Sequence, residues 1–470
     1  MYAKVIVDIA HSQVDKVFEY SCPPETQVGC RVKVPFGGRV IEGFVIGVSQ
    51  TSDFAAEKIK PVTEVYDELP ALVPECFALM ESIAERYRVP KALSLRLFLP
   101  TEMRLGKVNE IFVKRIKPTG KEISLSKSAK RQAEALEYLN AAGDCEYVPL
   151  TKKFGSGAVN ALVEKGAAEI YKVKRNRTPS YEGAEAEAKT LTPAQRQAVE
   201  YIEKSDKPVN LIHGVTGSGK TEIYLNLIAD KLKEGRTAIF LVPEISLTPQ
   251  MAAQLRSRFG GRAAILHSGL SAGERFDEWW RLRSGEAKIA IGARSAIFAP
   301  LENIGVIIID EEHDLSYNSE TSPRYSTAAI AKMRAEYNGC KLVLGSATPS
   351  VESYIEAREG RSGLVTLTDR VNGKPLPEII IADMRRELKR GNPSNLSRAL
   401  REELETTLST GNQAIIFINR RGYSQTVICT DCGYVAKCEN CDVSLTYHSE
   451  ENCLKCHYCG AKYRMLPACP

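Results

Sequence analysis

Hydrophobic and polar positions change period three times along the 470 residues. From residue 1 to about 105, short alternating runs (KVIVDIA, VFEY, RVKVPF, GRVIEGFVIGVS) are broken by Pro23-Pro24, Gly29 and Gly37-Gly38. A period of two between turn residues predicts a small β-barrel or sandwich. Residues 74–98 switch to helical spacing, with Phe77, Met80, Ile83, Ala84 and Tyr87 on one face. Residues 106–175 hold AKRQAEALEYLNAAG and TKKFGSGAVNALVEKGAAEIYKVKR, which predict two or three helices and a β-wing, a winged-helix-like domain. Residues 176–190 are apolar-poor and read as a linker.

From Leu191 the pattern changes again. The runs VNLIHGV (209–215), TAIFLVP (237–243), RAAILHS (262–268), KIAIGA (288–293), VIIID (306–310) and KLVLGSA (341–347) alternate with helical stretches. Near-continuous apolar runs between helices predict a parallel sheet covered on both faces, here over 191–360. QAIIFIN (413–419) follows a polar interval and is expected to open a second, partial α/β lobe over 361–470.

Composition adds little until it is localised. The formal charge is +5, but residues 104–177 carry 16 Lys and Arg against 8 Asp and Glu. Such a basic block suits phosphates, although a merely soluble basic face fits the charge alone. No run approaches 18 apolar residues and no basic-then-apolar leader opens the chain, so a cytoplasmic protein without a membrane span is expected. Eight of 13 cysteines fall between Cys429 and Cys469, and CxxC clustering points to metal rather than disulfides.

Residues 214–221 (Gly214, Val215, Thr216, Gly217, Ser218, Gly219, Lys220, Thr221) match G-x-x-x-x-G-K-[ST] between a strand-like run and a helical one. Backbone N–H groups of such a loop wrap phosphates, Lys220 is placed for the β- and γ-phosphates of ATP, and Thr221 for Mg²⁺. Asp310, ending the run VIIID, is placed to hold Mg²⁺, and Glu311 to activate water. Gln195, in LTPAQ ahead of the first strand, reads either as a contact to the adenine edge or as an exposed helical glutamine.

DEEH with GSATPS (345–350) is the signature of superfamily-2 helicases. LVPEISLTPQ (241–250), GARSAIFAP (292–300), DEEHDLSYNSETSPRYSTAAIA (310–331) and FINRRGYS (417–424) narrow it: the chain resembles the primosomal replication-restart (PriA) helicases throughout its length. The resemblance implies RecA-like lobes and a 3′→5′ DNA helicase working on forked and single-stranded DNA. It also implies primosome proteins, a single-strand-binding protein and the replicative helicase loader as partners. Ser346, Ala347 and Thr348 would couple hydrolysis to DNA movement, and Arg294 and Ser295 would face nucleic acid. Tyr317 and Tyr325, in an aromatic-rich loop, are expected either to stack on bases or serve in coupling, or to pack between lobes. The N-terminal β domain would bind a DNA 3′ end through Phe18, Glu19, Tyr20, Gly37 and Lys60, with Glu19 where the family pattern often has Asp.

The cysteines are spaced Cys429-x₂-Cys432-x₅-Cys438-x₂-Cys441-x₁₄-Cys456-x₂-Cys459-x₉-Cys469. Each CxxC supplies two thiolates, and two pairs close one tetrahedral Zn²⁺ site. By the resemblance the pairs nest, so Cys438, Cys441, Cys456 and Cys459 form one site while Cys429, Cys432 and Cys469 give three ligands to another. Cys453 is expected to be a bystander, with Cys453, His448 or His457 as candidate substitutes for a fourth ligand. The family chain continues past residue 470, so the sequence is expected to be a truncated form or fragment. Two other readings stay open: another superfamily-2 DNA translocase, or a non-catalytic DNA- and zinc-binding fragment.

Overall fold

The computed structural model describes every residue except 53, 102, 104–111, 122, 127–128, 175–176, 178–189, 245–248, 418–426, 428, 430, 449–450, 467 and 469–470. The chain divides into two compact units, Met1–Lys374 and Pro375–Pro470.

The first unit opens with five antiparallel strands: β1 (Tyr2–Val7), β2 (Val17–Ser21), β3 (Arg31–Phe36), β4 (Arg39–Ser49) and β5 (Glu64–Val65), in the order β2-β1-β4-β3-β5. A bridge from Ser21 to Pro61 brings the sheet's two edges together, as a barrel-like domain requires. Helix α1 (Pro74–Tyr87) buries Cys76, Leu79, Met80 and Ile83, and α2 (Lys91–Arg96) restarts after Pro90, which cannot continue a helix. Next come β6 (Phe112–Pro118), α3 (Lys130–Ala142), β7 (Cys145–Glu146), α4 (Tyr147–Phe154), α5 (Ser156–Glu164) and β8 (Ala168–Lys174). The sheet β7-β6-β8 and the three helices share a core around Ile116, Leu139, Val159 and Leu162, a winged-helix-like arrangement. Of the linker, only Arg177 and Thr190 are described, and Arg177 binds the buried carboxylate of Asp277 at 2.7 Å.

The rest of this unit is a seven-stranded, wholly parallel sheet. Its strands are β9 (Val209–Gly214), β10 (Thr237–Leu241), β11 (Ala263–Leu266), β12 (Ile289–Gly292), β13 (Ile304–Asp310), β14 (Lys341–Ser346) and β15 (Gly363–Leu367), ordered β11-β12-β10-β13-β14-β9-β15. All six expected apolar runs are strands, and β15 is a seventh the sequence did not suggest. Alternate residues enter opposite cores, because successive strand side chains point to opposite faces. Val306, Ile308 and Val343 pack with α6 (Pro193–Lys204), α7 (Lys220–Lys233) and α8 (Pro249–Phe259). Ile307, Ile309 and Leu342 pack with α1, with α9 (Ala272–Arg283) and with α10 (Thr327–Asn338). That second core is continuous with Ile6, Phe44 and Leu72 of the N-terminal domain. After β14 comes α11 (Val351–Arg358).

The second unit holds α12 (Met384–Lys389), α13 (Arg398–Ser409) and a three-stranded antiparallel sheet of β16 (Thr446–His448), β17 (Cys453–Lys455) and β18 (Lys462–Arg464). One expectation is corrected here. Residues 412–417 form no strand, and Ile415, Ile416 and Phe417 are exposed. A strand needs a neighbour for its backbone groups, and among the described residues none lies beside this run. Residues 418–419 lie outside the described residues. Among the described residues no helix is long and apolar enough to cross a membrane.

Candidate nucleotide and zinc sites

The P-loop leaves β9 at Gly214 and enters α7 at Lys220, so the loop sits at a helix N-terminus, where N–H groups and the helix dipole favour an anion. Gly219 takes φ +80°, and a Cβ there would fall 2.2 Å from Gln195 Nε2, so only glycine fits. Lys220 is 8% exposed, and its ammonium donates to Gly214 O at 3.0 Å and lies 3.9 Å from Glu311. Thr221 follows in the first turn of α7. Thr216 and Gly217 form the exposed crest, while Ser218 Oγ is buried with no hydrogen-bond partner among the described residues. An unmet buried hydroxyl inside a ring of backbone donors fits a phosphate-bearing ligand.

Gln195 is neither exposed nor free, which corrects the exposed-helix alternative. It is 4% exposed; its amide oxygen accepts from Thr192 N at 2.9 Å, and its amide nitrogen donates to Ser218 O at 3.1 Å. The capping box Thr192–Gln195 thus ties the start of α6 to the P-loop.

Asp310 ends β13 beside the loop. Tyr224, fully buried on α7, donates its hydroxyl to Asp310 Oδ1 at 3.0 Å. Burial, then the adjacent Glu311 charge, pushes the Asp310 carboxyl up to about 6. A Cβ on Gly345 would meet the Tyr224 hydroxyl at 1.6 Å, so that glycine gives the ring its place. Glu311 turns the chain with φ +45°. Past it, Glu312 accepts from Ser350 N at 2.6 Å, Ser350 Oγ at 3.0 Å and Ser353 Oγ at 3.1 Å. His313 Nδ1 lies 2.7 Å from Ser346 Oγ, and Thr348 N donates to the same oxygen at 2.9 Å. The DEEH turn and the SAT segment are therefore one hydrogen-bonded unit.

In the second unit, Cys438, Cys441, Cys456 and Cys459 place their sulfurs within 4.8 Å of one another. Four converging thiols are a soft donor set of the kind that holds tetrahedral Zn²⁺ at about 2.3 Å per sulfur. The Tyr463 hydroxyl, 3.3 Å from Cys438 Sγ, holds that thiol below its ordinary range, to about 6. Each CxxC turn repeats one construction: Gly433, Asp442 and Gly460, following the second cysteine, all take φ between +53° and +77°. In each, the amide of this residue donates to the carbonyl of the first cysteine, at 3.0, 2.8 and 2.9 Å. The Gly or Asp after CxxC was a sequence signal that spacing alone passed over. Cys453 stays outside the sulfur cluster, 3.7 Å from Glu451 Oε2, and His448 and His457 face each other with Nε2 atoms 3.1 Å apart. Cys429 and Cys432 form the first knuckle, whereas Cys469 lies outside the described residues.

Three family models match the chain. They are the PriA 3′ DNA-binding domain over residues 4–100, a DEAD/DEAH box helicase domain over 192–357 and the PriA DNA helicase Cys-rich region over 438–464. The replication restart protein PriA of Bacillus subtilis is 37% identical over 549 aligned positions, which take in 100% of this chain and 68% of the relative. The chain belongs to the PriA family. The PriA of a Synechocystis species is 34% identical, with 100% and 67% covered, and that of Haemophilus influenzae is 35% identical, with 97% and 64% covered. The chain spans about two-thirds of the length of these PriA relatives.

The residues that the PriA resemblance assigns to DNA are not all brought together. On β2, strand alternation puts Phe18 and Tyr20 on the core face, Phe18 edge-on to Phe36 at 5.0 Å and Tyr20 donating to Pro35 O at 3.3 Å. Glu19 faces the other way, where its carboxylate accepts from the Ser52 hydroxyl. Gly37 forms the tight β3–β4 turn with φ +56°, and Lys60 O accepts from Ser21 N at 3.0 Å. Of the three side chains on β2, only that of Glu19 therefore lies on the face away from the core.

The two tyrosines for which base stacking is one alternative are both buried. Tyr317 is 4% exposed and donates to Asp310 O at 2.8 Å, and burial raises its phenol well above the ordinary range. Tyr325 is 6% exposed and packs edge-on to Phe298 at 5.0 Å. Both rings are buried within the first lobe. Arg294 binds Ser316 O at 3.2 Å and Asn318 O at 2.5 Å, so it fastens the aromatic-rich loop. Its head borders a cavity of about 670 Å³ together with His267, Arg275, Ser295, Leu315 and Thr101.

Proposed function

We propose that this chain is an ATP-dependent DNA motor of replication restart, hydrolysing ATP at the P-loop and moving 3′→5′ on single-stranded DNA at stalled forks. The observation that carries this reading is the connection of the phosphate side of the lobe to its SAT segment through hydrogen bonds. Lys220 reaches toward the β- and γ-phosphates by exchanging its bond with the Gly214 carbonyl. Asp310, held by Tyr224, is the carboxylate that would hold Mg²⁺ with Thr221, and Mg²⁺ when bound neutralises phosphate charge. Glu311, 35% exposed at its side chain, is the group that orients water and accepts its proton. Glu312 and His313 pass any movement of this turn to Ser346, Ser350 and Ser353. In the same reading the β domain holds a DNA 3′ end, and primosome proteins, a single-strand-binding protein and the replicative helicase loader are the protein partners.

The test is DNA-stimulated ATP hydrolysis with two substitutions. Lys220→Ala should abolish ATP turnover while fork binding is retained. Glu311→Gln should bind ATP and turn it over slowly. Wild-type turnover in either variant would remove the assignment.

A further inference from the structure

Arg370 follows β15, in a segment to which no motif assigns a function. Its backbone is clamped to the P-loop at two points: Val215 N donates to Leu367 O at 3.0 Å, and Val371 N donates to Gly217 O at 2.9 Å. Its stem covers the loop crest, with Cγ and Cδ 3.7 and 3.9 Å from where a Cβ on Gly217 would stand. Cδ carries Nε, and that nitrogen is buried with no hydrogen-bond partner among the described residues. The preceding Asp369 accepts instead from the Thr368 hydroxyl, at 3.1 Å. Ser218 Oγ, next to Gly217, is the other buried polar atom of this loop without a partner.

A guanidinium is charged at every working pH, and burying one of its N–H groups unmet is unfavourable. Two unmet groups, one in the anion-binding loop and one packed on its crest, call for the same ligand. We propose that Arg370 is a nucleotide-binding residue, donating to the phosphate chain of a nucleoside triphosphate or diphosphate seated on the P-loop. This rests on the P-loop being the nucleotide site. Its clamped backbone places the cation over the crest before the nucleotide arrives, which suits planar, directional contact with phosphate oxygens.

The experiment titrates the full chain, wild type and variant, with a fluorescent ADP, and then displaces it with inorganic pyrophosphate. Arg370→Ala should weaken both ligands about tenfold or more, the loss expected for one charge-assisted contact. Arg370→Lys should recover part of the loss, because the charge returns without the fork. An unchanged thermal unfolding curve and zinc content certify the fold of each variant. Wild-type affinity of Arg370→Ala for ADP overturns the inference and leaves the nucleotide site standing. Weakened ADP with unchanged pyrophosphate also overturns it, because the contact would then lie on the nucleoside. No binding of either ligand to the wild type overturns the nucleotide site itself, and the inference with it.

Discussion

His313 and Ser346 share a hydrogen bond of 2.7 Å, so the turn after β13 and the end of β14 cannot move independently. If this contact carries the nucleotide state toward DNA, breaking it should separate the two activities. His313→Ala is expected to keep the ATP KM within about twofold and to lose most of the stimulation by single-stranded DNA, because neither group touches nucleotide. Steady-state rates with and without DNA check this. Full stimulation would mean the contact is only packing.

Tyr224 and Asp310 give a second prediction. Tyr224→Phe deletes the hydroxyl and little else, taking one donor from a buried carboxylate. One lost hydrogen bond of about 1 kcal/mol predicts a roughly fivefold rise in the Mg²⁺ concentration giving half-maximal ATP turnover. A Mg²⁺ titration reads it directly. Gly345→Ala should be worse than Tyr224→Phe, because the added methyl occupies the hydroxyl's place.

Zinc retention separates ligand from bystander cysteines. Cys456→Ser removes one of four converging sulfurs and should lower the zinc content by about one ion per chain after dialysis against a mild chelator. Cys453→Ser should leave the content at the wild-type value. Elemental analysis decides both, and equal losses would remove Cys453 from its bystander role.

Stability should fall on the alkaline side through buried thiols. Burial raises Cys340 to about 11 and Cys76 to about 12, whereas an unfolded chain ionises a thiol near about 8.5. The folded-state value is the higher one, so the contribution is complete below about 8.5 and is lost as pH rises through about 11. The expected slope is about 1.4 kcal/mol per pH unit per thiol. Urea midpoints measured between pH 8 and pH 10 should therefore drop, and less steeply in Cys340→Ala.

Legibility in the sequence followed the range of the interactions. The six apolar runs of the parallel sheet and the P-loop were readable because period and glycine spacing are local properties. The four-cysteine cluster followed from the resemblance, through knuckles that each close within five residues. What escaped was set by distant partners. Gln195 was ambiguous because its partner is Ser218, on another element. Tyr317 was open between stacking and packing because its hydroxyl's partner, the Asp310 carbonyl, lies on another element. The short strand β15 and Arg370 carry no motif, and only their pairing with β9 and the P-loop gives them a place. That Phe18 and Tyr20 turn to the core while Glu19 turns away follows from strand alternation, but which face is the core depends on partners on β1 and β3. QAIIFIN had the composition of a strand without a described neighbour to make it one.

Arg334 is wholly buried, and its guanidinium meets both carboxylate oxygens of Glu75, Nε at 2.8 Å and Nη2 at 2.5 Å. It also donates to Ile297 O and Ala299 O, at 2.5 and 3.0 Å. Glu75 belongs to α1 and Arg334 to α10, so the pair locks the N-terminal domain onto the motor lobe inside one continuous core. Leaving either charge alone there costs about 3–5 kcal/mol, so the pair opposes separation of α1 from α10. The β domain is thus seated on the parallel-sheet lobe through a shared core and a buried ion pair. Any displacement of the β domain would have to carry the α1–α10 contact with it or break a buried ion pair.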